Sequence, residues 1–264
     1  MSEKDEKVIA SVDLKTMKYT EEKPSDFLSS GKRLFVISVL IEILLGLGHV
    51  WVTWFPELGH HKKMIRFFHF DREGNLPSWF SSTQFLVLAA IFGGLYFLQR
   101  YQHTGKLWIV CAAAAVFLSL DEAAAFHELL GTYLGVVSRG ASEGTWIHSL
   151  QYFPSYYWMM IYVPLALPLS AVILRILYKE LQGEFRMVLA GGIIFVLGAV
   201  ALDFLEGYYG TPDHKGIYIR GESGIAWVDT ALIEEFMEMF GVSLVIYAFI
   251  RHYEKMRAVS NSAT

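Results

Sequence analysis

Six stretches of this chain are each about 23–25 residues long and almost wholly apolar. They run Arg33–Phe55, Ser78–Arg100, Leu107–Gly131, Pro154–Tyr178, Arg186–Tyr208 and Asp229–Arg251. At about 1.5 Å of rise per residue, each is long enough as a helix to cross a hydrocarbon core of about 30 Å. Helices are the expected spanning form, because lipid cannot satisfy an exposed backbone and the short alternation of barrel strands is absent. The expected fold is therefore an all-α, polytopic integral membrane protein with six transmembrane helices over 33–251. Polar tails flank it at 1–32 and 252–264.

Composition agrees. Of the 264 residues, 54% are hydrophobic and 18% charged, against about 25% charged in a soluble domain. Mean hydropathy is +0.37. A disordered chain and a nucleic-acid-binding protein are excluded, and the bilayer itself is the expected partner. One cysteine, Cys111, leaves no intramolecular disulfide and no cysteine-rich metal site.

Basic residues set the expected orientation. The tails, the Arg100–Lys106 turn and the Arg175–Arg186 turn hold 15 of the 22 lysines and arginines. That side is expected to be cytoplasmic, with both termini on it. Six tryptophans lie near the outer interface and only Trp108 near the inner one, as in an interfacial aromatic belt. Three outer loops of about 20–22 residues form a cap. The first contains His60, His61, His69 and the string Asp71–Pro77, where glycine, asparagine and proline mark a turn before the second span.

The functional clue is the acid inside the apolar spans. Span one holds Glu42 and His49, and span three holds Asp121, Glu122, His127 and Glu128. Span five holds Asp203 and Glu206, and span six Glu234, Glu235 and Glu238. No lysine or arginine lies within any span away from its ends. Each acid at the bilayer centre costs roughly 2.5–3.5 kcal/mol to insert. These acids are expected to face the bundle interior, neutralised by protons or bound cations. Helical spacing puts Glu42 with His49, Asp121 with Glu128, and Glu235 with Glu238 on common stripes. Most of them fall in the outer half of the bilayer.

Two chemistries follow. Carboxylates and imidazoles on facing helices suit iron, manganese or zinc. The expected ligands are Glu42, His49, Asp121, His127, Glu128, Asp203, Glu206 and Glu238. A spare carboxylate, Glu122 or Glu235, would be the general base. This gives a metal-dependent membrane enzyme, an oxidoreductase or hydrolase, acting on a lipid-phase small molecule. The third span reads Asp121-Glu122-Ala123-Ala124-Ala125-Phe126-His127-Glu128 in place of the Glu-x-x-His of di-iron bundles. The alternative is a divalent-cation or proton-coupled transporter using the same acids. Pro164 and Pro168 are positioned to break span four in such a device.

Asp71–Ser82 (DREGNLPSWFSS), Leu118–Glu128 (LSLDEAAAFHE) and Glu234–Gly241 (EEFMEMFG) resemble an uncharacterised group of bacterial multi-pass membrane proteins. The resemblance implies a bacterial inner-membrane setting and no particular activity.

Overall fold

The computed structural model describes residues 30–55, 62–70, 72, 74–209, 217–221 and 224–262; for 217–221, 224–228 and 262 it describes the backbone alone. The polar tail before Ser30, the His60-His61 pair and both acids of the Asp71–Pro77 string lie outside the described residues.

The helices are α1 (Ser30–Trp54), α2 (Lys62–Phe68), α3 (Leu76–Gln99), α4 (Gly105–Ala124) and α5 (Phe126–Gly140). They continue with the single turn α6 (Trp146–Ser149), α7 (Met159–Glu180), α8 (Phe185–Val196), α9 (Asp203–Tyr209) and α10 (Thr230–Ser262). A π-helical segment, Leu197–Leu202, joins α8 to α9. Among the described residues, five helical segments are long and apolar enough to cross a membrane: α1, α3, α4, α7 and the continuous run Phe185–Tyr209. The sixth long helix, α10, carries Glu234, Glu235 and Glu238 near its start. The expected all-helical architecture holds, with one short addition. Strands β1 (Ile217–Gly221) and β2 (Gly224–Val228) form an antiparallel hairpin, with Ile217 opposite Val228.

The bundle turns a soluble protein's pattern inside out. On α1, Leu34, Ile37, Leu40, Leu44 and Leu47 form an exposed stripe at helical spacing, with Leu44 65% exposed. The opposite face carries Glu42 and His49, at 0% and 1% exposure. Apolar side chains outward and polar ones inward is what a hydrocarbon solvent selects. On α7, Leu165, Leu167, Leu169 and Val172 are all exposed. That helix runs unbroken through Pro164 and Pro168.

At the other end of the bundle the core is conventional. Phe92 meets Phe249 edge-on at 4.7 Å, and Trp108 stacks on Phe92. Trp108 is fully buried and donates its indole N–H to Gln99 Oε1 at 2.5 Å, so it is a core residue and not part of an interfacial belt. Cys111 lies in the same core.

α10 is the central post, packed against α1, α3 and α8. Its contact with α8 is backbone on backbone. A Cβ on Gly191 would lie 2.6 Å from the Gly241 carbonyl oxygen, and one on Gly241 would lie 2.7 Å from that of Gly191. Small residues let membrane helices approach this closely. The crossing brings the π segment and α9 beside the first turns of α10.

The third apolar stretch is not one helix. It breaks at Ala125, whose φ of 51° and ψ of 44° are left-handed. α5 then continues to Gly140, so much of the expected second outer loop is helical. The turn before α3 is as its residues dictate. Gly74 takes φ +69°, Asn75 Oδ1 accepts the Ser78 N–H at 3.1 Å, and Pro77 sits in the first turn.

Candidate functional site

The site is built around the break at Ala125. Where α4 stops, the His127 backbone N–H loses its place in a continuous helix ladder. Asp121 replaces it: Oδ1 accepts that N–H at 3.0 Å. Asp121 Oδ2 lies 2.9 Å from His127 Nδ1, and the Tyr162 hydroxyl donates to Oδ1 at 2.8 Å. A carboxylate only accepts, so Nδ1 carries the ring proton. One aspartate thus caps α5, orients an imidazole and ties in α7.

α5 has two distinct faces. Phe126, Leu129, Tyr133 and Val136 point outward and are exposed. His127, Glu128, Gly131, Thr132, Gly135 and Arg139 line a cavity. Gly131 and Gly135 admit the segment before α7. A Cβ on Gly131 would sit 3.3 Å from the Trp158 backbone nitrogen, and one on Gly135 would sit 3.1 Å from the Tyr157 ring. His127 meets Trp158 edge-on, with ring centroids 5.4 Å apart.

That segment in turn holds α9. Trp158 Nε1–H donates to Asp203 Oδ2 at 3.1 Å, and Ser155 Oγ–H to the Phe204 carbonyl at 3.0 Å. Tyr156 donates to Glu206 Oε1 at 3.2 Å, while the Thr230 hydroxyl donates to Glu206 Oε2. Burial, with Glu206 and Asp203 beside it, pushes the Tyr156 phenol above its ordinary range. Its proton stays on oxygen, and Tyr156 remains a donor.

The cavity encloses about 470 Å³ at the end of the bundle where α4 and α9 finish and α10 begins. Its walls include Glu122, Glu128, Asp203, Glu206, Glu234, Glu235 and Glu238, and among the described residues Arg139 is the one lysine or arginine that lines it. Volumes of about 300–1,000 Å³ are typical of small-molecule sites.

Of the residues singled out from sequence, Glu122, His127, Glu128, Asp203, Glu206, Glu235 and Glu238 meet in this cavity. Asp121 stands behind His127. The break at Ala125 removes the continuous helix on which Asp121 and Glu128 would share a stripe. Glu42 and His49 lie elsewhere. His49 Nδ1 accepts the Phe70 N–H at 3.0 Å, so Nε2 carries the proton and donates to Asp229 at 2.9 Å. Both ring nitrogens are thereby engaged. Glu42 belongs to a separate polar cluster with Ser38, Gln84 and Ser243. Span one therefore contributes neither of its two expected ligands to the cavity.

Sequence reasoning missed Tyr156, Trp158, Tyr162, Arg139 and Thr230. The run Ser155-Tyr156-Tyr157-Trp158, rich in donors beside an acid-rich bundle, was the available signal.

The donor set, carboxylate oxygen and imidazole, suits a hard or borderline divalent ion in kind. In position it is not closed. Among the described residues, no three His, Cys, Asp or Glu side chains converge as ligands of one ion.

Fold and cavity together define a class: a multi-pass helical membrane protein with an acid-lined chamber at one end of its bundle. Within that class, the chain belongs to the family described as domain of unknown function DUF8692, whose model matches residues 34–252. No curated protein and no solved structure matches it.

Proposed function

We propose that this chain is a metal-dependent integral membrane enzyme of the bacterial inner membrane, acting on a lipid-phase substrate in the acid-lined cavity. In this reading α10 supplies the sixth span and the N-terminus is cytoplasmic, in line with the concentration of basic residues in the tails and the turns on their side. The cavity then opens toward the outer leaflet.

One observation carries the reading: among the described residues, seven carboxylates and His127 line one chamber with a single guanidinium. Like charges gathered in one chamber repel one another and call for a counter-charge. A divalent cation supplies one. Glu128, Asp203, Glu206 and Glu238, with His127, are the donors that would hold it. Long glutamate side chains have the rotamer freedom to draw together around an ion.

When bound, such an ion supplies Lewis-acid chemistry if zinc, or redox chemistry if iron or manganese. The chain's own residues do the rest. Asp121 fixes the His127 tautomer, Trp158 and Tyr156 hold Asp203 and Glu206, and Glu122 or Glu235 takes a proton as general base. Substrate enters from lipid beside α7, whose apolar side chains have few protein neighbours.

A second reading, a divalent-cation or proton-coupled transporter, is favoured by the lack of three converging ligands. Transient capture needs no closed coordination sphere. Metal analysis of protein purified without chelators separates the two. Stoichiometric iron, manganese or zinc, lost in Glu238→Ala, supports the enzyme. Metal-free protein that drives cation uptake in vesicles refutes it and supports the transporter.

A further inference from the structure

A second polar cluster lies between α1, α3 and α10, with no residue in common with the cavity lining. Its members are Ser38, Glu42, Gln84, Ser243 and the Met239 carbonyl. Glu42 is completely buried and Gln84 is 4% exposed. Ser243 Oγ–H donates to Glu42 Oε1 at 2.6 Å, and Ser38 Oγ lies 2.6 Å from Ser243 Oγ. Gln84 Nε2 has four acceptors in range: Ser243 Oγ at 2.8 Å, Glu42 Oε1 at 3.0 Å, Met239 O at 3.1 Å and Ser38 Oγ at 3.3 Å.

Hydrogen counting exposes a deficit. Two hydroxyls and one amide bring four hydrogens. The oxygens are six: two of Glu42, two hydroxyls, the Gln84 amide oxygen and the Met239 carbonyl. Two of them, Glu42 Oε2 and Gln84 Oε1, are buried and have no hydrogen-bond partner among the described residues. Buried acceptors of this kind are rare and point to an ion or water among them. A buried carboxylate without a cation is costlier still.

We propose that Glu42, Gln84, Ser38, Ser243 and the Met239 carbonyl form a sodium-binding site within the bundle, distinct from the acid-lined cavity. The ligand chemistry is that of a hard cation, since every donor is oxygen. The charge count selects a monovalent ion. One carboxylate balances one positive charge, and a divalent ion here would leave an uncompensated charge in a low-dielectric interior. The ligands come from three helices, so occupancy would clamp α1 and α3 onto α10. Met239 follows Glu238 directly in sequence, which sets this site one residue behind the cavity wall.

The test uses full-length protein in detergent, melted at increasing NaCl with choline chloride holding ionic strength constant. Saturable stabilisation by sodium, absent with choline alone, is the expected result. Glu42→Gln should weaken the apparent affinity at least tenfold. Ser243→Ala, which removes one hydroxyl and serves if Glu42→Gln does not fold, should weaken it several-fold. Asp203→Asn, in the cavity, should leave the sodium response unchanged. No sodium response in folded wild-type protein overturns the proposal and leaves a proton or water on the two oxygens. So does an undiminished response in Ser243→Ala, or one lost in Asp203→Asn. None of these results depends on whether the cavity holds a metal.

Discussion

Replacing Asp121 separates capping from chemistry at the break between α4 and α5. In the native protein its carboxylate accepts three hydrogen bonds, two from His127 and one from Tyr162, at 2.8–3.0 Å. Hydrogen bonds to a charged acceptor contribute about 1.5–3 kcal/mol each. Three at the low end of that range give about 4.5 kcal/mol, the expected loss for Asp121→Ala measured by SDS-induced unfolding in mixed micelles. Tyr162→Phe, which removes one bond, should lose about 1.5 kcal/mol on the same scale.

Asp121→Asn is the sharper perturbation. Its amide oxygen still accepts from the His127 backbone N–H, but its NH₂ group now faces Nδ1. A donor there forces the imidazole to move its proton to Nε2, turning Nδ1 into an acceptor. The stability loss should be small, about 1 kcal/mol, while the ring nitrogens exchange roles. Nitrogen-15 NMR of selectively labelled histidine reads this directly. A His127 that keeps its proton on Nδ1 in Asp121→Asn would refute the hub. A loss below about 1 kcal/mol in Asp121→Ala would refute it equally.

Ala125→Gly should stabilise the protein by about 0.5–1 kcal/mol, because alanine at φ 51° carries a left-handed penalty that glycine avoids; the same unfolding assay reads it. Asp229, just before α10, is buried, which alone would raise its carboxyl, yet the N–H groups of His49, Leu232 and Trp54 hold it below the usual carboxylate range. Its contribution is therefore complete above the unfolded value of about 3.9 and is lost as pH falls below it. The gap between the melting curves of wild type and Asp229→Asn should hold from pH 7 down to about pH 4 and narrow below it, and a gap that does not narrow in acid contradicts this.

Much of the architecture was legible because it rests on length and hydropathy. Five of the six apolar stretches correspond to helices long and apolar enough to span, one of them shortened at Ala125. The Gly74-Asn75-Leu76-Pro77 turn follows from local backbone chemistry alone. The break at Ala125 was hidden, since alanine is the best helix former and a side chain four residues earlier sustains the break. The meeting of Glu122 with Glu234, Glu235 and Glu238 followed from burial. The separation of Glu42 and His49 did not, because helical angle relates residues within one helix and says nothing of which neighbour they face. The β1–β2 hairpin had a signal: β-branched and aromatic runs, Ile217-Tyr218-Ile219 and Ile225-Ala226-Trp227-Val228, flank a Gly221-to-Gly224 turn.

The contact between Gly191 and Gly241 has a consequence for how this sequence can vary. In each case the obstacle to a side chain is the other residue's carbonyl oxygen, which no substitution can shrink. A larger residue on α8 therefore has no compensating replacement at the facing glycine of α10. The two positions are tied to the backbones and not to each other's side chains. Across homologues they should read as two independently invariant glycines, with no paired exchange between them.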